Sequence, residues 1–219
     1  LVLVIGMKPS TANSGSVTTP AGWTAITSLT GAGGYGGTLT GDQGNTNVFT
    51  FYTVAVGGET GTLTVTLATN NVSWAQMYRL SNATLGWDVA GTTGSDTTAG
   101  NVSIAMSANP GVTAGDYILG AMVIPTDVTT PAQFSAEALS QTGITFGVVT
   151  EISEPDSGNG NDIGGFTYRA PVSSGTASAA PTLTATAGGT TTNVRGPGVF
   201  IRVRESASTT FGNGTDPAN

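Results

Sequence analysis

Short apolar and β-branched runs recur along the whole chain and limit what it can fold into. The runs are about five to ten residues long, Gly, Asn, Pro and Ser bound them, and no ten-residue window has a helical period. In residues 61–67, Leu63, Val65 and Leu67 alternate with Thr, which predicts a strand with one buried face and one face in water. The pattern predicts an all-β protein, an antiparallel jelly-roll-like β-sandwich with little or no helix.

Two runs are apolar on both faces and predict central strands covered on each side, namely LVLVIGM at the start and residues 117–124. Near the end, Val199, Ile201 and Val203 share one face of a predicted strand, and the alternate residues point the other way. Further strands are predicted at residues 23–28, 48–56, 73–81, 102–106, 144–152, 163–170 and 182–187.

The chain resembles itself in two halves. LVLVIGMKPS matches YILGAMVIPT, TTPAGWTAITS matches TTPAQFSAEAL, and a long segment ending in MYRLS parallels one ending in IRVRES. We predict an internal duplication, with one half at about residues 1–90 and the other at about 101–205, forming one domain over residues 1–205. The second half enters its long strand through residues 101–116. We therefore expect an equivalent strand before the first half, or a neighbouring chain that supplies the pairing edge.

Residues 206–219 follow the second half and contain one large apolar residue, Phe211, without any periodic pattern. We predict a C-terminal tail or an inter-subunit arm, with Phe211 as the residue that contributes to assembly.

The composition excludes most side-chain chemistry. The chain has no His, no Cys and a single Lys, so it lacks nucleophile–imidazole pairs, thiolates and ordinary zinc or haem ligands. A net charge of −7 with six basic residues argues against nucleic acid as a partner. The opening apolar run is far shorter than the about 20 residues of a membrane span, so no membrane insertion is predicted.

Four acids in EISEPDSGNGND are the candidates for acid–base hydrolysis of a glycosidic bond, namely Glu151, Glu154, Asp156 and Asp162. Oxygen donors for calcium come from the same segment, namely Asp156, Asn159, Asn161 and Asp162. Their spacing does not match an EF-hand, and a Gly- and Asn-rich loop also carries acids simply because they suit turns and water. We therefore favour a solvated loop, expect no enzyme, and expect no cofactor apart from calcium as an alternative.

Five aromatic residues are the candidates for a sugar-stacking platform, namely Trp23, Trp74, Trp87, Tyr35 and Tyr78. Core packing is the competing interpretation. Trp23 stands at the entrance of a predicted strand, and Trp74 alternates with Gln76 and Tyr78.

The order of these segments resembles a β-sandwich module found in virion structural proteins of tailed bacteriophages and in some secreted bacterial surface proteins. The likeness spans about residues 1–205 and is carried by PAGWT at 20–24, FYTVA at 51–55 and Gly115-Asp116. It implies a jelly-roll-like sandwich in a virion or at a cell surface. It carries over no catalytic or binding residues.

We therefore expect a non-enzymatic virion structural protein of a tailed bacteriophage: a capsid-decorating protein, an appendage, or a tail or fibre component. Its partners would be copies of itself or other virion proteins, joined through sheet edges and loops. One alternative is an extracellular adhesin or carbohydrate-binding module that takes a surface glycan. Another is the subunit of a bacterial extracellular filament, and both alternatives place the protein outside the cell or on its surface.

Overall fold

A computed structural model describes residues 1–10, 15–32, 44–57, 60–81, 86–98, 100–125, 134–157, 163–188 and 194–206. Within these ranges the chain forms fifteen β-strands and no helix. The strands are β1 (Val2–Pro9), β2 (Ser16–Val17), β3 (Thr24–Ala32), β4 (Thr46–Tyr52), β5 (Leu67–Ala68), β6 (Asn70–Tyr78), β7 (Trp87–Asp96), β8 (Val102–Ala105), β9 (Tyr117–Ile124), β10 (Phe134–Ser140), β11 (Ile144–Phe146), β12 (Thr150–Ser153), β13 (Gly164–Gly175), β14 (Thr182–Ala187) and β15 (Gly196–Glu205).

The strands pair antiparallel in four sheets, which confirms the predicted antiparallel β-sandwich character. Inner sheet 1 has the order β3-β4-β1-β6, and inner sheet 2 has the order β11-β13-β9-β15-β7, with β12 also paired to β13. Outer sheet 1 is the short pair β2-β5, and outer sheet 2 has the order β10-β14-β8. The outer sheets cover the two inner sheets, which in turn pack against each other.

Three apolar cores hold these layers together. Val4 and Trp74 of inner sheet 1 pack against Ala121 of inner sheet 2. The opposite face of inner sheet 2 packs through Phe166 against Leu183 of outer sheet 2, and a third core lies between inner sheet 1 and outer sheet 1. Burying a side chain of the size of Phe166 contributes about 1.5–3 kcal/mol. The inner sheets therefore have core on both faces.

The two fully apolar runs are central strands, as predicted. Every residue of β1 is buried, and in β9 only Tyr117 is partly exposed. The prediction for β15 is also confirmed, because Val199, Ile201 and Val203 all join the core between the inner sheets. Its other face is buried as well, since Phe200 belongs to the core facing outer sheet 2.

The strand predicted at residues 61–67 is wrong for most of its length. Only Leu67 and Ala68 form a strand, because their partner β2 has only two residues. The predicted alternation nevertheless holds for the side chains: Leu63, Val65 and Leu67 are half-buried against the core of inner sheet 1, and the threonines between them are exposed. A similar correction applies to residues 144–152, which are divided into β11 and β12.

The two inner sheets share one strand order. We number the strands of the first half from β1 and those of the second half from β9, and count β11 and β12 together as the third strand. Both inner sheets then have the order third, fourth, first, sixth. The pair β2-β5 corresponds in the same way to β10-β14. This repetition is what a duplication would produce, and the duplication itself stays a prediction. Inner sheet 2 and outer sheet 2 each have one further strand, β7 beside β15 and β8 beside β14.

Candidate functional site

Trp74 and Tyr78 lie in the core between the inner sheets, with 6% and 8% of their surface exposed. Trp74 Nε1 donates a hydrogen bond to the Gly164 carbonyl oxygen at 3.2 Å, which ties β6 to β13 of the other sheet. The indole covers Gly6, where a Cβ atom would lie 2.4 Å from Trp74 Cε2. Burial raises the pKa of Tyr78 to about 12. Both residues therefore serve packing, as the competing interpretation has it.

Trp23 and Trp87 are half-buried in two different cores. Trp23 packs against the core on the outer face of inner sheet 1, and Trp87 packs against the core between the inner sheets. Tyr35 lies outside the described residues. The four described aromatic residues are therefore not brought together into one exposed platform.

Glu151 and Glu154 come close together, and they are joined by Glu137, which the sequence analysis did not single out. Glu137 reaches them from β10, where the pairing with β14 shifts between Ser135 and Ala138. Burial raises the pKa of Glu151 to about 7, helped by the charge of Glu154 and by the hydrogen bond and charge of Glu137.

One of these three glutamates, Glu154, has a structural role. Glu154 Oε1 accepts a hydrogen bond from the Phe134 backbone N–H at 2.7 Å, at the point where β10 begins. Asp156 is exposed, and Asp162 lies outside the described residues. The acids proposed from the sequence as a catalytic group are therefore only partly assembled.

Three of the four calcium candidates, Asn159, Asn161 and Asp162, lie outside the described residues. In the part of the chain that the structure describes, no group of three or more His, Cys, Asp or Glu side chains is placed to hold a metal ion. Calcium binding in this loop stays a prediction.

The unpaired edge of β6 is a feature that the sequence analysis missed. β6 bonds to β1 along one edge, and no other described strand pairs with the opposite edge, here called the free edge of β6. Gln76 accepts a hydrogen bond from Ser153 Oγ at 3.3 Å, and Ser153 Oγ lies 2.8 Å from Thr167 Oγ1. These contacts place β6 over β13 and β12 of inner sheet 2.

Two grooves flank the free edge of β6. The edge groove, of about 500 Å³, lies towards inner sheet 2, and the second groove, of about 460 Å³, lies towards residues 60–63. They meet at Met77, which has 43% of its surface exposed. The edge groove is lined by Gln76, Met77, Tyr78, Arg79, Leu80, Tyr117, Leu119, Glu151, Ile152 and Arg169.

An unpaired strand edge with open space on both sides can bind another strand. Its outward N–H and C=O groups can take up the backbone of another strand, and the grooves can receive the alternating side chains of that strand. The edge groove carries the guanidinium groups of Arg79 and Arg169 as well as apolar surface. It therefore suits an extended segment of mixed polar and apolar character.

In inner sheet 2 the corresponding strand is β15, and one more strand, β7, pairs with its outer edge. β7 pairs with β15 over its full length, from Trp87 opposite Glu205 to Asp96 opposite Gly196. Arg202 of β15 adds a bidentate ion pair to Asp88 of β7, at 2.7 and 2.9 Å. The Arg202 hydrogen bond lowers the pKa of Asp88 below its ordinary value. Among the described strands, β15 is thus paired along both of its edges, whereas β6 is paired along one.

Comparisons with protein-family models, with curated proteins and with solved structures found no match to this chain. Across the ranges given above, the structure also has no helix of the length and apolarity that crossing a membrane requires. The function is therefore argued from the geometry.

Proposed function

We propose that this protein is a non-enzymatic structural subunit that associates with copies of itself through β-sheet edges. The observation that carries the proposal is the free edge of β6 with a groove on each side. The candidate residues for sugar binding and for hydrolysis have structural roles instead, which also favours this proposal. Trp74 and Tyr78 are buried, and Glu154 is bonded to the backbone of β10.

The surface has few reactive side chains, which is what a structural subunit requires. The single lysine, Lys8, is fully buried, and the chain has no cysteine or histidine. The surface therefore presents no lysine amine, thiol or imidazole group that could react or titrate near neutral pH. A subunit that persists outside a cell needs this inertness.

The setting that we propose is the virion of a tailed bacteriophage, where the protein would decorate the capsid or form part of an appendage, tail or fibre. The proposal rests on the sequence resemblance carried by residues 20–24 and 51–55, and on an all-β fold of the kind that this resemblance implies. A secreted or cell-surface filament would use the same joint.

A substitution at Met77 tests whether the free edge of β6 is the joint between subunits. A lysine on an edge strand opposes strand addition because its charge would be desolvated in the new sheet. We expect the wild-type chain to form defined oligomers by sedimentation velocity, and Met77→Lys to weaken this association at least tenfold. Val148→Lys is the matched control, because Val148 is 81% exposed and does not line the edge groove. A strictly monomeric wild type, or equal effects of the two substitutions, would contradict the proposal.

Glycan binding remains a second candidate because of one residue. Trp23 lines the second groove together with Thr53, Thr60 and Thr62, which places an aromatic side chain beside hydroxyl groups. If this groove binds a glycan, Trp23→Ala should abolish retention on glycan arrays. Absence of any retained glycan for the wild type would remove this candidate.

A further inference from the structure

On the side of β6, inner sheet 2 reaches one strand further than inner sheet 1. β6 lies over β13, since Trp74 Nε1 bonds to the Gly164 carbonyl oxygen, and Gln76 of the same strand reaches on to Ser153 of β12. β13 pairs with β9 along one edge and with β12 along the other, and among the described strands β12 pairs only with β13. The two layers therefore form a step on this side, with β6 as its upper edge and β12 as its lower edge.

The opposite side of the molecule has no such step. There β3, at the edge of inner sheet 1, lies over β7, because a Cβ atom on Gly91 of β7 would stand 2.8 Å from Ile26 Cγ2 of β3. The pairing of β3 with β4 also shifts twice along its length, and such bulges hinder the addition of another strand. The step is therefore the side that suits another sheet edge.

The shape of the step selects the strand that fits it. Met77 on the upper edge and Ile152 on the lower edge have 43% and 39% of their surface exposed, and both line the edge groove. A second copy that offered its own β6 would bring its β13 into the space that β12 already fills. β12 of a second copy fits, because inner sheet 1 of that copy ends at its β6 and leaves its β12 uncovered on that face.

We propose that two copies interlock at their steps about a two-fold axis, with β6 of each subunit paired to β12 of the other. The inference rests on the proposed function and names the two edges that meet. The axis runs along the strands between the two layers, so inner sheet 1 of one copy continues into inner sheet 2 of the other. A two-fold interface uses the same patch on both subunits and closes at the dimer. The paired strand is β12, Thr150–Ser153, so Val148 lies outside the joint.

The strand directions suit this pairing. Trp74 bonds to Gly164, the first residue of β13. Five residues further along each chain, Arg79 and Arg169 line one groove, so β6 and β13 run in the same direction. β12 is antiparallel to β13 and therefore to β6 as well. A two-fold axis along the strands leaves their direction unchanged, so β6 and β12 of the partner subunit form an antiparallel pair.

The register follows from the contact between Gln76 and Ser153. The axis keeps each residue at its height along the strands, so Gln76 lies beside Ser153 of the partner subunit. Met77 then lies opposite Ile152 of the partner subunit, which brings two exposed apolar residues together. Beyond β12 the chain stays beside β13 as far as Ser157, so the contact extends along the rest of β6.

The charges of the two edges are complementary. Arg79 follows Tyr78, whose side chain faces the core between the inner sheets, so Arg79 points to the opposite face of inner sheet 1. Glu151 contacts Glu137 of β10 and points to the face of inner sheet 2 that meets outer sheet 2. The axis makes these two faces continuous and sets Arg79 diagonally beside Glu151 of the partner subunit, where opposite charges attract. β6 contains no acid, so a joint between two β6 strands would lack this pair.

Mixing two charge variants tests the pairing at about pH 8, above the pKa of Glu151. In a dimer of Arg79→Glu, or of Glu151→Arg, both joints bring like charges together. In the mixed dimer one joint has both reversed charges and the other has both native charges, so both joints attract. By sedimentation velocity we expect each variant alone to associate at least tenfold more weakly than the wild type, and the mixture at least tenfold more tightly than either variant. A mixture that associates no better than its components would overturn the pairing.

Single cysteines identify the residues that meet, and the chain has no native cysteine to interfere. Opposed residues of antiparallel strands are close enough for a disulfide. Met77→Cys mixed with Ile152→Cys should give disulfide-linked dimers, identified by peptide mapping. The control mixes Met77→Cys with Thr184→Cys, an exposed position on β14, and should give at least tenfold less. An equal yield in the control, or from Met77→Cys alone, would contradict the pairing of β6 with β12.

Sedimentation velocity of the wild type separates failure of this inference from failure of the proposed function. A wild type that stays monomeric removes the proposed function, and the two-fold joint with it. A wild type that associates without the disulfide between positions 77 and 152, or that grows beyond the dimer, leaves the proposed function in place and overturns the two-fold joint.

Discussion

The contact between Trp74 and Gly6 predicts a large cost for adding a single methyl group. In Gly6→Ala the new Cβ atom would lie 2.4 Å from Trp74 Cε2 and 2.6 Å from Nε1, far inside van der Waals contact. Trp74 cannot yield freely, because its Nε1 is bonded to the Gly164 carbonyl oxygen on the opposite sheet. Either the indole moves and this hydrogen bond breaks, or β1 and β6 separate.

The magnitude follows from these alternatives. Overpacking a core costs about 1–3 kcal/mol, and loss of the hydrogen bond adds about 1 kcal/mol. Alanine is better than glycine inside a strand by about 0.5–1 kcal/mol, which offsets part of the loss. We therefore expect Gly6→Ala to lower the free energy of unfolding by about 2 kcal/mol.

Urea unfolding followed by tryptophan fluorescence measures this change. A Trp74→Phe background supplies the control, because the smaller ring removes the indole atoms that the methyl group would strike. In that background the cost of Gly6→Ala should fall by at least half. A loss below about 0.5 kcal/mol in the wild-type background, or the same cost in both backgrounds, would refute the packing argument, since neighbouring residues that share a contact are not additive.

Three further predictions concern charged groups. Because the pKa of Glu151 is raised to about 7, its protonated form is favoured in the folded state. Stability from this group is complete below its unfolded pKa of 4.5 and is lost as the pH rises to about 7; Glu151→Gln should remove that dependence in pH-resolved urea unfolding. Asp88→Ala should lower the free energy of unfolding by about 1–3 kcal/mol because it strands the buried Arg202, with the loss measured by thermal unfolding. An amine-reactive reagent should label Lys8 only after unfolding, as read by mass spectrometry, because this side chain is fully buried.

Strands with strong local patterns were predictable from the sequence, and strands defined by their neighbours were not. β1 and β9 are apolar at almost every position, so their burial on both faces follows from composition alone. β7, with the sequence WDVAGTTGSD, has six small residues in a row and is a strand because β15 pairs with it. Residues 61–66 show the opposite case, in which the side chains alternate but the backbone forms no strand.

The register between the two halves shows why sequence matching alone can assign a residue to the wrong face of its strand. The ungapped match of LVLVIGMKPS with YILGAMVIPT sets Val2 against Ile118. Val2 faces the core between the inner sheets, but Ile118 faces the other core, and it is Leu119 that shares the core of Val2. A shift of one residue exchanges the two faces of a strand, so the correspondence between halves requires the packed structure.

The candidate site depended on long-range geometry for the same reason. Glu137, which contacts Glu151, lies where the pairing of β10 with β14 shifts, and nothing in the local sequence marks this shift. The free edge of β6 is a property of sheet order, which alternation along one strand does not reveal. Trp74 and Tyr78 were correctly placed as alternating residues of one strand, but their burial required the second sheet.

Amide hydrogen exchange along β6 tests the central claim, that this strand edge is the joint between subunits. The experiment uses the full-length chain at concentrations below and above the midpoint of its self-association. We expect the outward amides of residues 72–79 to exchange at least tenfold more slowly in the associated protein, while the outward amides of β10, at an edge of outer sheet 2, are unchanged. Association that leaves exchange along β6 unaltered would show that the subunits join elsewhere.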